Sequence, residues 1–123
     1  MDSVAKNTQK TVVSIEEDVL RYTLGNVVDE DLASRLKEVG FLVVRNNVVS
    51  LIVVDMNNAR HFSATARKDW AELLQESKIT KTALFGGSRF VKTIASFIIK
   101  KAKVENSRVF KEEKDALVWL RSQ

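Results

Sequence analysis

The sequence predicts a single α/β domain: one mixed β-sheet of about five strands, the first pair antiparallel, carrying about four helices on its two faces. Three observations predict it. The chain has 123 residues, the size of one domain and enough to bury roughly two-thirds of its unfolded surface without a disulfide or a metal. Short β-branched runs alternate with stretches whose apolar residues recur every three or four positions. One of those runs, residues 48–55, is apolar at successive positions apart from Ser50 and the closing Asp55, as a strand covered by helices on both faces must be.

Residues 1–10 are polar and are expected to be frayed, with the domain itself spanning 11–123. The run at 11–15 is β-branched, Glu16-Glu17-Asp18 makes a polar turn, and 19–24 is a second strand. Three turn residues between two strands read as an antiparallel hairpin. Gly25 and Asn26 break the second strand. Asp29 then suits a helix N-cap, with Glu30 and Asp31 at the positive end of the helix dipole. Leu32, Leu36, Val39 and Val43 form that helix's expected buried stripe, and Asn46-Asn47 end it. Residues 48–55 are the expected central strand, with Leu51 and Val53 buried on one face and Ile52 and Val54 on the other. Leu51→Asp is therefore expected to unfold the domain.

Residues 57–62 read as a loop. Ser63 opens a second helix with Ala66, Trp70, Leu73 and Leu74 inward. A short strand at 82–85 ends at Gly86-Gly87, and Ser88 caps a third helix with Val91, Ile94, Ala95 and Ile98 inward. Residues 108–110 make the last strand. A closing helix turns Ala116, Leu117 and Leu120 inward, with Trp119 alongside. The parallel steps require right-handed crossovers.

Composition narrows the chemistry. There is no cysteine and one histidine, which removes disulfides, thiolate metal sites, cysteine nucleophiles and the two-histidine metal clamp. No metal and no cofactor are expected. The first residues hold no apolar stretch of the kind a secretory leader carries, and no run approaches the ~20 residues of a membrane span. The cytoplasm is the expected compartment. Charge is uneven: between Lys78 and Lys111 there are nine basic residues and one acidic one, Glu105. That region is either a solvated face or a patch for an acidic partner, an anion or a membrane surface. No nucleic-acid partner is expected, since the aromatic interleaving and zinc spacings of such domains are missing.

No catalytic set assembles. Ser88 follows two glycines at a strand-to-helix turn, but Gly86-Gly87-Ser88-Arg89-Phe90 lacks the second glycine of a nucleophile elbow. Its natural role is the helix cap. The same turn, Gly86, Gly87 and Ser88 with Arg89 and Lys92 behind it, is either a weak anion site or a plain tight turn. His61 lies in a loop without partners in sequence. Asp55 ends the central strand, where ligands of α/β sheets gather, or binds the next loop's backbone N–H groups. Glu112, Glu113 and Asp115 open a helix and suit its dipole. The chain is expected not to be an enzyme.

The third helix carries more apolar surface than one core stripe needs. Phe90 and Phe97 are seven apart and share a face, which either packs under the last helix or lines a groove. The leading expectation is non-enzymatic binding of an apolar or amphiphilic, lipid-like ligand, or of a protein partner, between the second and third helices. Phe62, Trp70, Phe90, Ile94 and Phe97 would supply apolar area, and Arg89 and Lys92 would favour an acidic group.

The stretch Arg108-Val-Phe-Lys-Glu-Glu-Lys-Asp-Ala-Leu-Val-Trp-Leu120 resembles the F-x-x-x-x-x-A-x-x-W-L close of SpoIIAA-like proteins in the STAS and Sec14-related (CRAL-TRIO-like) group. The resemblance continues through Gly25 to Leu32, Val53-Val54-Asp55, Trp70, and Thr82 to Phe90. It implies the STAS fold and a regulatory role. Within that group the shorter SpoIIAA-like relatives imply a carrier of apolar ligands or a partner-binding module. The anti-sigma-factor antagonists imply an alternative: a switch phosphorylated at a Ser or Thr in a D-S-[ST]-G pattern where a helix begins. Ser63-Ala64-Thr65-Ala66 stands at that place here. Thr65 matches the phosphoacceptor, with Ser63 for the pattern's Asp and Ala66 for its Gly; Ser63 is the second candidate phosphoacceptor.

Overall fold

β-Branched residues extend the chain at its start, and a tight turn folds it back. In the computed structural model, which describes residues 10–122, strands β1 (Val12–Glu16) and β2 (Val19–Thr23) pair antiparallel, Val12 opposite Thr23 through Glu16 opposite Val19. The expected frayed segment at 1–10 lies, but for Lys10, outside the described residues. Glu16 belongs to the strand, so the turn has two residues rather than the expected three. Glu17 takes φ 60°, the left-handed backbone that two-residue hairpins favour.

The remaining elements are β3 (Val27–Val28), α1 (Glu30–Arg45), β4 (Leu51–Asp55), β5 (His61–Phe62), α2 (Ala64–Leu74), β6 (Lys81–Phe85), α3 (Arg89–Ala102), β7 (Ser107–Phe110) and α4 (Glu113–Arg121). The main sheet has five strands in the order β1-β2-β4-β6-β7, parallel except for the first pair. As expected, β4 is central and helices cover both faces. Leu20, Tyr22, Ile52, Val54 and Leu84 face α1, α2 and α3. Val19, Val53, Ala83 and Phe85 face α4 through Ala116 and Leu120. β3 and β5 pair in a separate two-stranded parallel piece, where the sequence predicts only a loop at 57–62. Two residues are too few to show a strand's alternation.

Three expectations shift. Strand β4 begins at Leu51 rather than at 48, because 46–50 turn out of α1. Asn47 there takes φ 61°, and the Val48 N–H donates back to the Val43 carbonyl at 2.9 Å. Ile52, Val53 and Val54 are fully buried, while Leu51, first in the strand, is half-buried against α4. On α1 the residues that bury are Ala33, Leu36, Gly40 and Val44. Leu32 and Val43 are half-buried and Val39 is exposed. Gly40 decides this rotation: a Cβ there would lie 2.6 Å from Tyr22 Oη and 2.7 Å from Leu73 Cδ1. Glycine and alanine carry little weight in a hydrophobic pattern, so the expected stripe falls to the side of the true one. Leu117 of α4, expected inward, lies exposed at the margin.

Tyr22 is the polar pivot of the larger core. Its hydroxyl donates to the Leu36 carbonyl at 2.6 Å, and its ring meets Trp70 edge-on at 5.2 Å. Burial pushes its pKa far above the ordinary phenol value. Lys37 ties α1 to α2 through Asp69 and Glu72, both at 2.7 Å. Those two carboxylates raise the Lys37 pKa.

Candidate interaction site

Parallel strands β4 and β6 end side by side, and the loops leaving them lead to the N-termini of α2 and α3. Asp55 closes β4. One of its oxygens accepts the Asn57 N–H at 2.9 Å, and the other lies 3.4 Å from the Arg21 guanidinium. Arg21 also holds Glu113 of α4 at 2.8 Å. Asp55 is thus tied into its own loop and to the opposite face of the sheet.

Gly86 and Gly87 both take left-handed φ, 79° and 84°. Side chains there would collide with the Asn57 side chain and, at 2.9 Å, with the Met56 carbonyl. Two donors of this turn are engaged: the Gly86 N–H with the Phe110 carbonyl at 3.2 Å, and the Gly87 N–H with Asn57 Oδ1 at 3.4 Å. Ser88 Oγ caps α3 by accepting the Val91 N–H at 3.1 Å, and Lys92 Nζ donates to the Gly87 carbonyl at 2.7 Å. These bonds fasten the turn to the β4–β5 loop, to β7 and to the start of α3. Asn57, which clasps the turn from the neighbouring loop, was not legible as important in the sequence; its only signal is an Asx residue two positions after a strand-ending Asp.

The seven residues expected to bind a ligand divide into two groups. Phe62, Trp70 and Ile94 are buried. Phe62 and Trp70 line an apolar cavity with Leu24, Val54, Met56 and Ile98, but its free volume is only ≈ 20 Å³, room for about one water. Phe90 and Phe97 point outward instead, 63% and 56% exposed. They do not pack under the closing helix, because α4 lies on the other side of the sheet. Arg89 is exposed beside them and Lys92 is half-buried. By helical spacing Thr93, Lys100 and Lys101 join Phe90 and Phe97 on the exposed side of α3. All three are exposed. The helix holds four basic residues and no acidic one.

The other candidates sit at the start of α2. Ser63 Oγ accepts the Ala66 N–H at 3.0 Å, the capping role its position suggests. Thr65 is exposed in the first turn, which contains no acidic residue. Arg60 and His61 are exposed nearby in sequence, and Arg67 has its Nε buried with no hydrogen-bond partner. Among the described residues no three metal-ligating side chains gather, and no helix is long and apolar enough to cross a membrane.

Comparison with known proteins is informative at the level of fold. An anti-sigma factor antagonist from Mycobacterium paratuberculosis superposes with a TM-score of 0.69 at 16% identity, over 94% of this chain and 97% of that one. The Bacillus cell fate determinant SpoIIAA, in its phosphorylated form, gives 0.68 at 10% identity over 90% and 99%. An uncharacterised protein with a SpoIIAA-like fold from Shewanella loihica PV-4 gives 0.62 at 16% over 89% and 91%. These likenesses establish the SpoIIAA/STAS fold expected from the sequence; they lend nothing to the Sec14-related part of the resemblance. No curated protein matches the chain significantly. A family model matches residues 13–123, nearly the whole described chain, and by that match the protein belongs to the family described as domain of unknown function DUF7793.

Proposed function

We propose that this domain is a non-enzymatic regulatory module that binds a protein partner on the outer side of α3. One observation carries the proposal: Phe90 and Phe97 stand exposed on one line of a helix whose charged residues are all basic. Protein interfaces concentrate aromatics and arginine at their centres, and lysines beside them suit a charged rim that selects an acidic partner. The fitting partner presents apolar pockets about two helical turns apart, bordered by carboxylates. A small apolar ligand is the weaker reading, because the cavity beneath Phe62 and Trp70 holds about one water while ligand pockets run to roughly 300 Å³ or more. The two capping serines and the exposed, unpartnered His61 support the non-enzymatic reading.

Phe90→Ser with Phe97→Ser is expected to leave folding intact, since both side chains are mostly in water, and to weaken partner binding at least about a hundredfold. Quantitative affinity purification from the native cell, followed by titration with the recovered partner, measures it. An unchanged dissociation constant would remove α3 from the interface.

A second reading rests on Thr65. It is exposed in a helix turn without acidic residues, and the likeness to SpoIIAA in its phosphorylated form supports a switch there. A phosphate would bring about two negative charges to the positive end of α2, where they are tolerated or favoured by roughly 0.3–1 kcal/mol. Thr65→Glu is expected to change the partner set or its affinity relative to Thr65→Val. Identical pull-downs from both variants, with no phosphopeptide covering Thr65, would exclude the switch.

A further inference from the structure

The sheet edge farthest from α3 is β1, and among the described residues no strand pairs with its outer side. The hairpin fixes which backbone groups are free there. Glu16 and Val19 flank the two-residue turn and close it as a hydrogen-bonded pair. By the alternation of antiparallel ladders, Ser14 and Val12 also bond to β2, while Val13 and Ile15 turn their N–H and C=O groups outward. Edge strands are normally guarded by proline, lysine or a bulge. Val-Val-Ser-Ile-Glu has no proline or lysine, and it pairs residue for residue with β2. Two of its three apolar side chains are uncovered, Val12 57% and Ile15 46% exposed, while Val13 is half-buried against the core; Val39 of α1, the helix on the Ile15 side of the sheet, is 37% exposed.

We infer that the β1 edge pairs with a second copy of this chain. A two-fold axis through Ser14 sets Val13 of one copy opposite Ile15 of the other, twice. Every outward N–H and C=O of those residues then finds a partner, and two five-stranded sheets become one. On the helix-covered side this register joins Val13 to Ile15 across the interface, an apolar cross-strand pair. On the other side Ser14 meets Ser14 and Val12 meets Glu16, so no like charges face each other. A slip by one residue would oppose outward-bonding positions to inward-bonding ones and place serine among the apolar pairs. The sequence of β1 is thus complementary to itself, and this singles out a second copy over an unrelated strand. Because α3 packs beside β7 at the opposite edge, both copies keep that helix free.

The chain contains no cysteine, so a single substitution reports the register. In Ser14→Cys the two thiols face each other at a non-hydrogen-bonded position, where a Cα separation of about 4.5 Å suits a disulfide. Val12→Cys faces Glu16 and serves as the control. The full chain is expected to sediment as a monomer–dimer equilibrium. Ser14→Cys is expected to cross-link under mild oxidation at least about tenfold faster than Val12→Cys, the latter's thiols lying several residues apart. Ile15→Pro removes an outward N–H while sparing the β1–β2 ladder, and is expected to weaken dimerisation about tenfold with an unchanged circular dichroism spectrum. If Ile15→Pro unfolds the hairpin, the cysteine pair decides alone. A wild-type chain that stays monomeric at about 1 mM, the result if the edge serves another protein's strand, overturns the inference. Equal cross-linking of the two cysteine variants overturns it as well.

Discussion

Replacing Val54 by aspartate is expected to abolish folding. Val54 sits in the central strand between Tyr22 of β2 and Leu84 of β6, and is 1% exposed beneath the three-helix layer. The cavity beside it is entirely apolar, so a carboxylate there has neither water nor a cation. Burying it costs several kcal/mol whether it ionises or holds a proton. Deleting the valine's methyl groups adds about 1–3 kcal/mol. Together these approach the 5–15 kcal/mol that hold a typical domain folded. Val54→Ala should lose only the packing part and remain cooperative. Leu51→Asp, which the sequence marks as the disabling change, should be milder, because Leu51 opens the strand and is half-buried, where a carboxylate can reach solvent. Urea titration followed by circular dichroism separates the three, and a Val54→Asp protein with a wild-type midpoint would refute the placement of β4.

Gly40→Ala should destabilise the domain even though it improves the helix. Alanine in a helix interior is favoured over glycine by about 1 kcal/mol. Against that, the new methyl would stand 2.6 Å from Tyr22 Oη and 2.7 Å from Leu73 Cδ1. Neither neighbour can yield freely. The Tyr22 hydroxyl is anchored on the Leu36 carbonyl and its ring on Trp70, and Leu73 is itself buried. Overpacking of this kind costs about 1–3 kcal/mol. The expected balance is a loss of about 1–2 kcal/mol, a fall of several degrees in melting temperature. In a Tyr22→Phe background the clashing oxygen is gone, so the same substitution should be milder. A double-mutant cycle reads that coupling directly, and simple additivity would mean that α1 does not approach Tyr22 as closely as described.

The order of strands and helices was legible in the sequence because local periodicity and capping residues determine it. Asp29, Ser63 and Ser88 accept the N–H bonds expected of helix caps, and the unbroken Ile52-Val53-Val54 run marks a strand buried on both faces. The hairpin and the inward residues of α2 and α3 follow from the same local rules. Where side chains are small, the pattern loses its signal. Gly40 and Ala33 turn α1 away from its apparent stripe, and β3 and β5 are two residues each, too short to register.

The candidate site divides along the same line. Spacing alone puts Phe90 and Phe97 on one side of α3, but whether that side is covered depends on which face of the sheet receives α4. The crossovers into β4, β6 and β7 put α1, α2 and α3 on one face of the sheet, while α4, which follows the last strand, packs on the other face and leaves the two phenylalanines in water. In the same way, Asn57 and Gly87 are thirty positions apart in the chain and meet only because β4 and β6 are neighbours. The sequence by itself determined the elements, their caps and the side chains each element turns to one side, since those are set within a few residues. Which of those sides meets solvent was decided by the tertiary structure, because burial depends on contacts between segments far apart in the chain.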